Sequence, residues 1–202
     1  MDLTALAAFA GGLIVFFGLH FFSSFRTREA HGLETRIGKG PYKGLYSILS
    51  LVGFIAMIWG FDTIRWDQPD QSWPQVWSPP TWTRHVNMAL MLPALILLVA
   101  TYMPTGYIKK AVKHPMLTAV KLWALGHLIS NGDLGGMILF GAFLVYGVVD
   151  RIAVKRRGDV GAAKAAPHII GDLLALAVGS AVYALILFDL HGRLFGPQLV
   201  GG

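Results

Sequence analysis

The sequence predicts an all-α fold: a polytopic membrane helix bundle of six transmembrane helices with both termini outside. Three observations carry this expectation. Of the 202 residues, 54% are hydrophobic and only 14% are charged, and the mean hydropathy is positive, which is too apolar for a soluble domain of ordinary composition. The apolar residues fall into six runs of roughly span length, divided by polar loops. The cations are also lopsided. With the termini outside, the inner loops 26–43, 109–113 and 151–164 hold 13 of the 17 Lys and Arg residues. The outer segments hold Arg65, Arg84 and Arg193, and Lys121 lies inside a span, as the positive-inside rule asks.

Composition narrows the function classes. The chain has no cysteine, so disulfides, thiolate metal sites, iron-sulfur clusters and a thiol nucleophile are excluded. Histidine, carboxylate and methionine are left as metal ligands. A net charge of +6 would suggest nucleic acid in a soluble chain, but here the basic residues stand between apolar runs, so no nucleic-acid partner is expected. The expected partner is membrane lipid. No internal repeat or second domain is visible, and residues 1–202 read as a single integral membrane domain.

The first run, 3–25, lacks the positive start and short core of a cleavable signal, so it is expected as a retained span. At 100° per residue, Phe9, Leu13, Phe16 and Phe17 share a face with His20, and Ala7, Gly11 and Gly18 form a small face suited to close helix packing. Residues 24–43 turn basic and are expected on anionic headgroups, with a break at Gly38-Lys39-Gly40-Pro41. A second span is expected over 44–64. Residues 65–85 then mix four tryptophans with four prolines and are expected to lie along the outer interface, as anchors rather than as a ligand-covering lid. The third span is expected over about 86–103 with Pro93 inside it. His114 to Arg151 supplies the fourth and fifth spans, joined by a tight Asn131-Gly132-Asp133 turn. The Gly/Ala/Lys portion that follows reads as flexible, and the sixth span covers about 169–190.

Ionisable residues inside apolar helices are functional candidates. Of seven histidines, His31, His85, His168 and His191 sit in loops or at span ends, and His114 opens the fourth span. His20 and His127 lie well inside apolar helices. At 1.5 Å per residue, His20 stands about 8 Å and His127 about 18 Å from the inner ends of their helices. That offset of about 10 Å is wide for one directly held metal ion, whereas a tilted haem between two histidines tolerates it. Spacing alone leaves haem ligation and a plain interhelical hydrogen bond equally open. Met116, Val120, Trp123 and Asn131 share the His127 face, and Lys121 is expected to pair with Asp172 or to snorkel. Asp133 is expected to close the turn.

RIGKGPYKGLYSILSLVGF after the first span, together with HPMLTAVKLWALGHLISNGDLGGMILFGAFLVYGVV, resembles the NnrU family of membrane proteins over nearly the whole chain. The resemblance implies a multi-pass protein of the bacterial inner (cytoplasmic) membrane, associated with denitrification. The family's plant relative, 15-cis-zeta-carotene isomerase, is a haem b enzyme acting on a linear polyene. Carried over, the axial ligands to iron would be His20 and His127, with His114 in reserve, and the haem propionates would face Arg26, Arg28 or Lys113. The plant enzyme's alternate cysteine ligand, one helical turn before the histidine, corresponds to Ala124 here, which puts polyene isomerisation in doubt and leaves haem binding intact.

The function expected is therefore a haem b-binding accessory of denitrification, related to redox or to nitric oxide. Two alternatives stand beside it: a haem-dependent cis-trans isomerase of a lipophilic polyene, and a haem-free proton relay or transporter using His127, Lys121 and Asp133. Homo-oligomerisation through the glycine face of the first span stays open.

Overall fold

The structure, a computed structural model, describes residues 2–25, 33–67 and 72–195. The propionate candidates Arg26 and Arg28, and also His31, lie outside the described residues. The protein is an all-α membrane protein, with no strand among the described residues. Among the described residues, five helical stretches are long and apolar enough to cross a membrane: Leu3–Phe25, Lys39–Trp66, Trp82–Tyr102, Leu134–Arg156 and Ile169–Leu194. The expected fourth span is a helix of 16 residues, Pro115–Ser130, about 24 Å long at 1.5 Å per residue and so short of a hydrocarbon core of about 30 Å. Pro115 starts it, one residue after the His114 expected to open the span, and the expected Asn-Gly-Asp turn stops it.

The chain divides into two compact units: Met1–Trp77 with Gly132–Ala142, and Ser78–Asn131 with Phe143–Gly202. In the first unit, α1 (Leu3–Phe25) packs antiparallel on α3 (Lys39–Asp62), after a short α2 (Leu33–Ile37). The seam is made of glycines. A Cβ on Gly12 would strike the backbone of Met57 and Gly53, and one on Gly60 would strike the backbone of Ala5 and Phe9. Between apolar helices in lipid no hydrophobic force favours contact, so this close backbone approach and its dispersion energy hold the pair. The small face expected from Ala7, Gly11 and Gly18 is not the seam, because a Cβ on Gly11 or Gly18 would meet nothing within 4 Å. The rotation differs because Ala5, Phe9 and Gly12 form the buried stripe, and that stripe mixes small and large residues.

The break expected at Gly38–Pro41 is confined to Gly38, whose φ of 89° ends the preceding turn. α3 begins at Lys39, five residues before the span expected from Gly44. Pro41 is accommodated in its first turn, where a missing N–H costs nothing. Beyond a π-helical turn, Thr63–Asp67, the Trp/Pro segment departs from expectation at one residue. Trp66, Trp77 and Trp82 are exposed, as interface anchors would be, but Trp73 is only 6% exposed. Its ring lies 5.0 Å from that of Phe9 and against Gly135, and its Nε1 donates to the Phe61 carbonyl at 3.2 Å. Residues 74–77 hold it there. Val76 N donates to Gly132 O at 2.8 Å and Leu134 N donates to Pro74 O at 2.8 Å, which ties the segment to the start of α7 (Leu134–Arg156).

In the second unit α4 (Trp82–Tyr102) packs on α6 (Pro115–Ser130) and on α8 (Ile169–Leu185). Pro93 lies inside α4 as expected. The short α5 (Tyr107–Val112) is fixed by buried Asp172 of α8, whose two oxygens accept from Tyr107 N at 2.8 Å and Ile108 N at 2.9 Å. The expected Lys121–Asp172 pair is therefore absent: the carboxylate satisfies two open amides at the start of a helix, and the stem of Lys121 lies against Gly147. Lys109 Nζ closes the other junction, donating to Thr101 O and Met103 O at the end of α4. The Gly/Ala/Lys loop expected to be flexible contains a 3-10 turn, Gly161–Lys164, bound to the α5–α6 junction. A continuation of α8 through a π-helical turn, Ile186–Leu190, leads into α9 (His191–Phe195).

Candidate functional site

The two histidines singled out by their apolar surroundings have the same local geometry, each within its own unit. His20 stands on α1, half-buried, with Nδ1 2.7 Å from the carbonyl of Phe16. His127 stands on α6, half-buried, with Nδ1 2.9 Å from the carbonyl of Trp123. A carbonyl only accepts, so in both rings Nδ1 carries the proton and donates it. The neutral imidazole then keeps its lone pair on Nε2. A backbone carbonyl on the far nitrogen is also the usual outer support of a metal-ligating histidine, because it fixes the tautomer and the ring plane.

Aromatic rings hold the same orientation. The His20 ring stacks on Phe16 with centroids 4.1 Å apart, and Tyr46 of α3 lies 5.6 Å away. The His127 ring lies 5.3 Å from that of Trp123, which in turn meets Phe143 edge-on at 5.1 Å. Each site thus repeats one pattern, an aromatic residue four positions before a histidine. Both its carbonyl and its ring contact the imidazole. The helical register makes this pattern readable from sequence, although only the shared face was drawn from it.

Around His127 stands a further polar group. Asn87 of α4 donates through Nδ2 to Ser130 Oγ at 2.9 Å, and Ser130 Oγ donates to Gly126 O at 2.9 Å. A Cβ on Gly126 would strike Asn87, so the glycine lets α4 approach α6 beside the histidine. The available signal was a lone amide inside the apolar run 86–103.

The other candidates are placed differently. His114 caps α6, and its Nε2 donates to the Asp159 carbonyl at 3.2 Å, so that nitrogen serves the loop. Lys113 is exposed at the α5–α6 junction with φ of 68°. Asp133 accepts from Gly136 N at 2.6 Å and so caps α7, as its turn role implies. Among the described residues no three His, Asp or Glu are grouped as for a metal ion held by protein ligands alone.

Comparison with known proteins gives one result of consequence. The family model described as NnrU protein matches residues 8–199. No curated protein and no solved structure matches. With 192 of its 202 residues inside that match, the chain belongs to the NnrU family.

Proposed function

We propose that this membrane protein binds haem b, which His20 and His127 would hold, and serves denitrification in a redox or nitric oxide-related accessory role in the bacterial inner membrane. One observation carries the reading: both histidines set inside apolar helices have Nδ1 donating to the carbonyl four residues back, the outer support usual for a metal-ligating histidine. The support comes from each unit taken by itself. When bound, haem b would supply one-electron redox chemistry and a coordination place for a diatomic gas.

The chain's own residues do the rest. Phe16 and Trp123 set the rotation of the two imidazoles, and their carbonyls make the rings better donors. The aromatic surroundings of His20 suit a flat apolar macrocycle. Lys113, being exposed and cationic, is available to a propionate. His114 is the weaker candidate, since its Nε2 is engaged with Asp159.

Haem content of the purified protein tests the reading. Wild type is expected to hold close to one haem per chain, while His20→Ala and His127→Ala lose most of it and His85→Ala and His191→Ala keep it. Retention in both of the first two variants would refute the ligand assignment. Nitric oxide added to the reduced protein is expected to shift the haem absorption. If extracts instead yield a stoichiometric polyene, the isomerase reading takes precedence.

A further inference from the structure

One end of the second unit carries a group of cations of which the haem reading uses only Lys113. Two segments distant in sequence are pinned together there. Ala162 N donates to Lys113 O at 3.1 Å, His114 Nε2 to Asp159 O at 3.2 Å, and His168 N to Thr105 O at 2.8 Å. α7 runs out on Lys155 and Arg156, and Gly158, at φ of 67°, turns the chain so that Asp159 N returns to Val154 O at 3.2 Å. Lys110 and Lys113 from one segment and Lys155, Arg156 and Lys164 from the other are thereby gathered on one platform.

Of the carboxylates beside them, Asp159 is exposed and engaged locally, and Asp172 is buried. Asp159 Oδ1 accepts from Gly161 N at 2.8 Å, and Asp172 is buried under α5. Among the described residues none of the five cations makes an ion pair. The C-terminal dipole of α7 accounts for Lys155 and Arg156, but not for Lys113 or Lys164. Apolar surface adjoins the platform directly: Tyr102 is 73% exposed, and Tyr107, Ile169 and Ile170 are exposed on the helices that leave it. A soluble anion would use the cations alone. A molecule with an anionic head and apolar tails uses both surfaces.

We propose that this platform binds anionic phospholipid, with the headgroup phosphate against Lys113, Lys155, Arg156 and Lys164 and the acyl chains on the apolar side chains beside them. The test is lipid retention by the full-length protein, measured by native mass spectrometry in detergent with added phosphatidylglycerol or phosphatidylcholine. The variant compared with wild type is Lys155→Gln/Arg156→Gln/Lys164→Gln, which leaves the propionate candidate Lys113 in place. Wild type is expected to favour phosphatidylglycerol by at least about five-fold, and the variant to bring the two lipids near parity. Salt at about 0.5 M is expected to remove the preference in wild type, since exposed charges are screened. Equal retention of both lipids by wild type would overturn the proposal, as would a preference that survives salt. Displacement by inorganic phosphate would show a site for a free anion instead and would equally overturn it. Should the variant not fold, the wild-type salt comparison decides.

Discussion

Trp73 shows how much a single residue departs from its surroundings. In sequence it is one of four tryptophans in a proline-rich stretch and reads as an interface anchor. In the fold it fills the space between Phe9, Phe61 and Gly135, with its indole N–H satisfied by a carbonyl. Trp73→Phe removes the hydrogen bond and is expected to cost about 1 kcal/mol. Trp73→Ala also leaves a cavity and is expected to cost about 3 to 5 kcal/mol. Thermal unfolding in detergent checks both, and equal, small effects would return Trp73 to the interface. Asp172 makes the same point for a charge. Asp172→Ala leaves two part-buried amide N–H groups of α5 without their acceptor, for an expected loss of about 1–3 kcal/mol, whereas Lys121→Met leaves that junction intact. If the two variants lose stability equally, the two residues act together after all. Neither role was legible in the sequence, because each partner is more than ten positions away and polar–backbone pairing leaves no periodic signal.

At the scale of elements, hydropathy and punctuation placed nearly every helix, and the errors lie in rotation and ends. The run 3–25 became α1 without change. Its packing face is not the small face of Ala7, Gly11 and Gly18, because the buried stripe of Ala5, Phe9 and Gly12 mixes small with large residues. Gly12→Ala, which drives a methyl group into the backbone of Met57, is expected to cost about 1–3 kcal/mol. Gly11→Ala meets open space and is expected to be neutral or slightly stabilising through helix propensity. Unfolding curves that rank the two variants the other way would contradict the α1–α3 seam. α3 starts five residues before the expected span, because Gly38 alone breaks the chain and Pro is harmless in a first turn. The loop after α7 read as flexible on composition, yet the backbone of Gly161 and Ala162 finds fixed partners that no composition encodes.

At the scale of the whole molecule, the all-α membrane character was legible from hydropathy alone, and the family from two motifs. The histidines of the candidate site were legible from their apolar settings. Their tautomers were not, since these depend on which atom faces the carbonyl one turn back. The membrane orientation drawn from the cations is testable because the chain has no cysteine. Single cysteines at Ser78 and Ala166 in intact cells are expected to react with an impermeant thiol reagent only at Ser78, the outer position, and the reverse pattern would invert the topology. The haem reading has its most direct test in absorption spectra of the purified protein, oxidised and dithionite-reduced, for wild type, His20→Ala and His127→Ala. The account predicts a Soret band with sharp reduced alpha and beta bands in wild type, lost or converted to a high-spin form in both variants. A wild type that stays colourless after reconstitution with haem would contradict it.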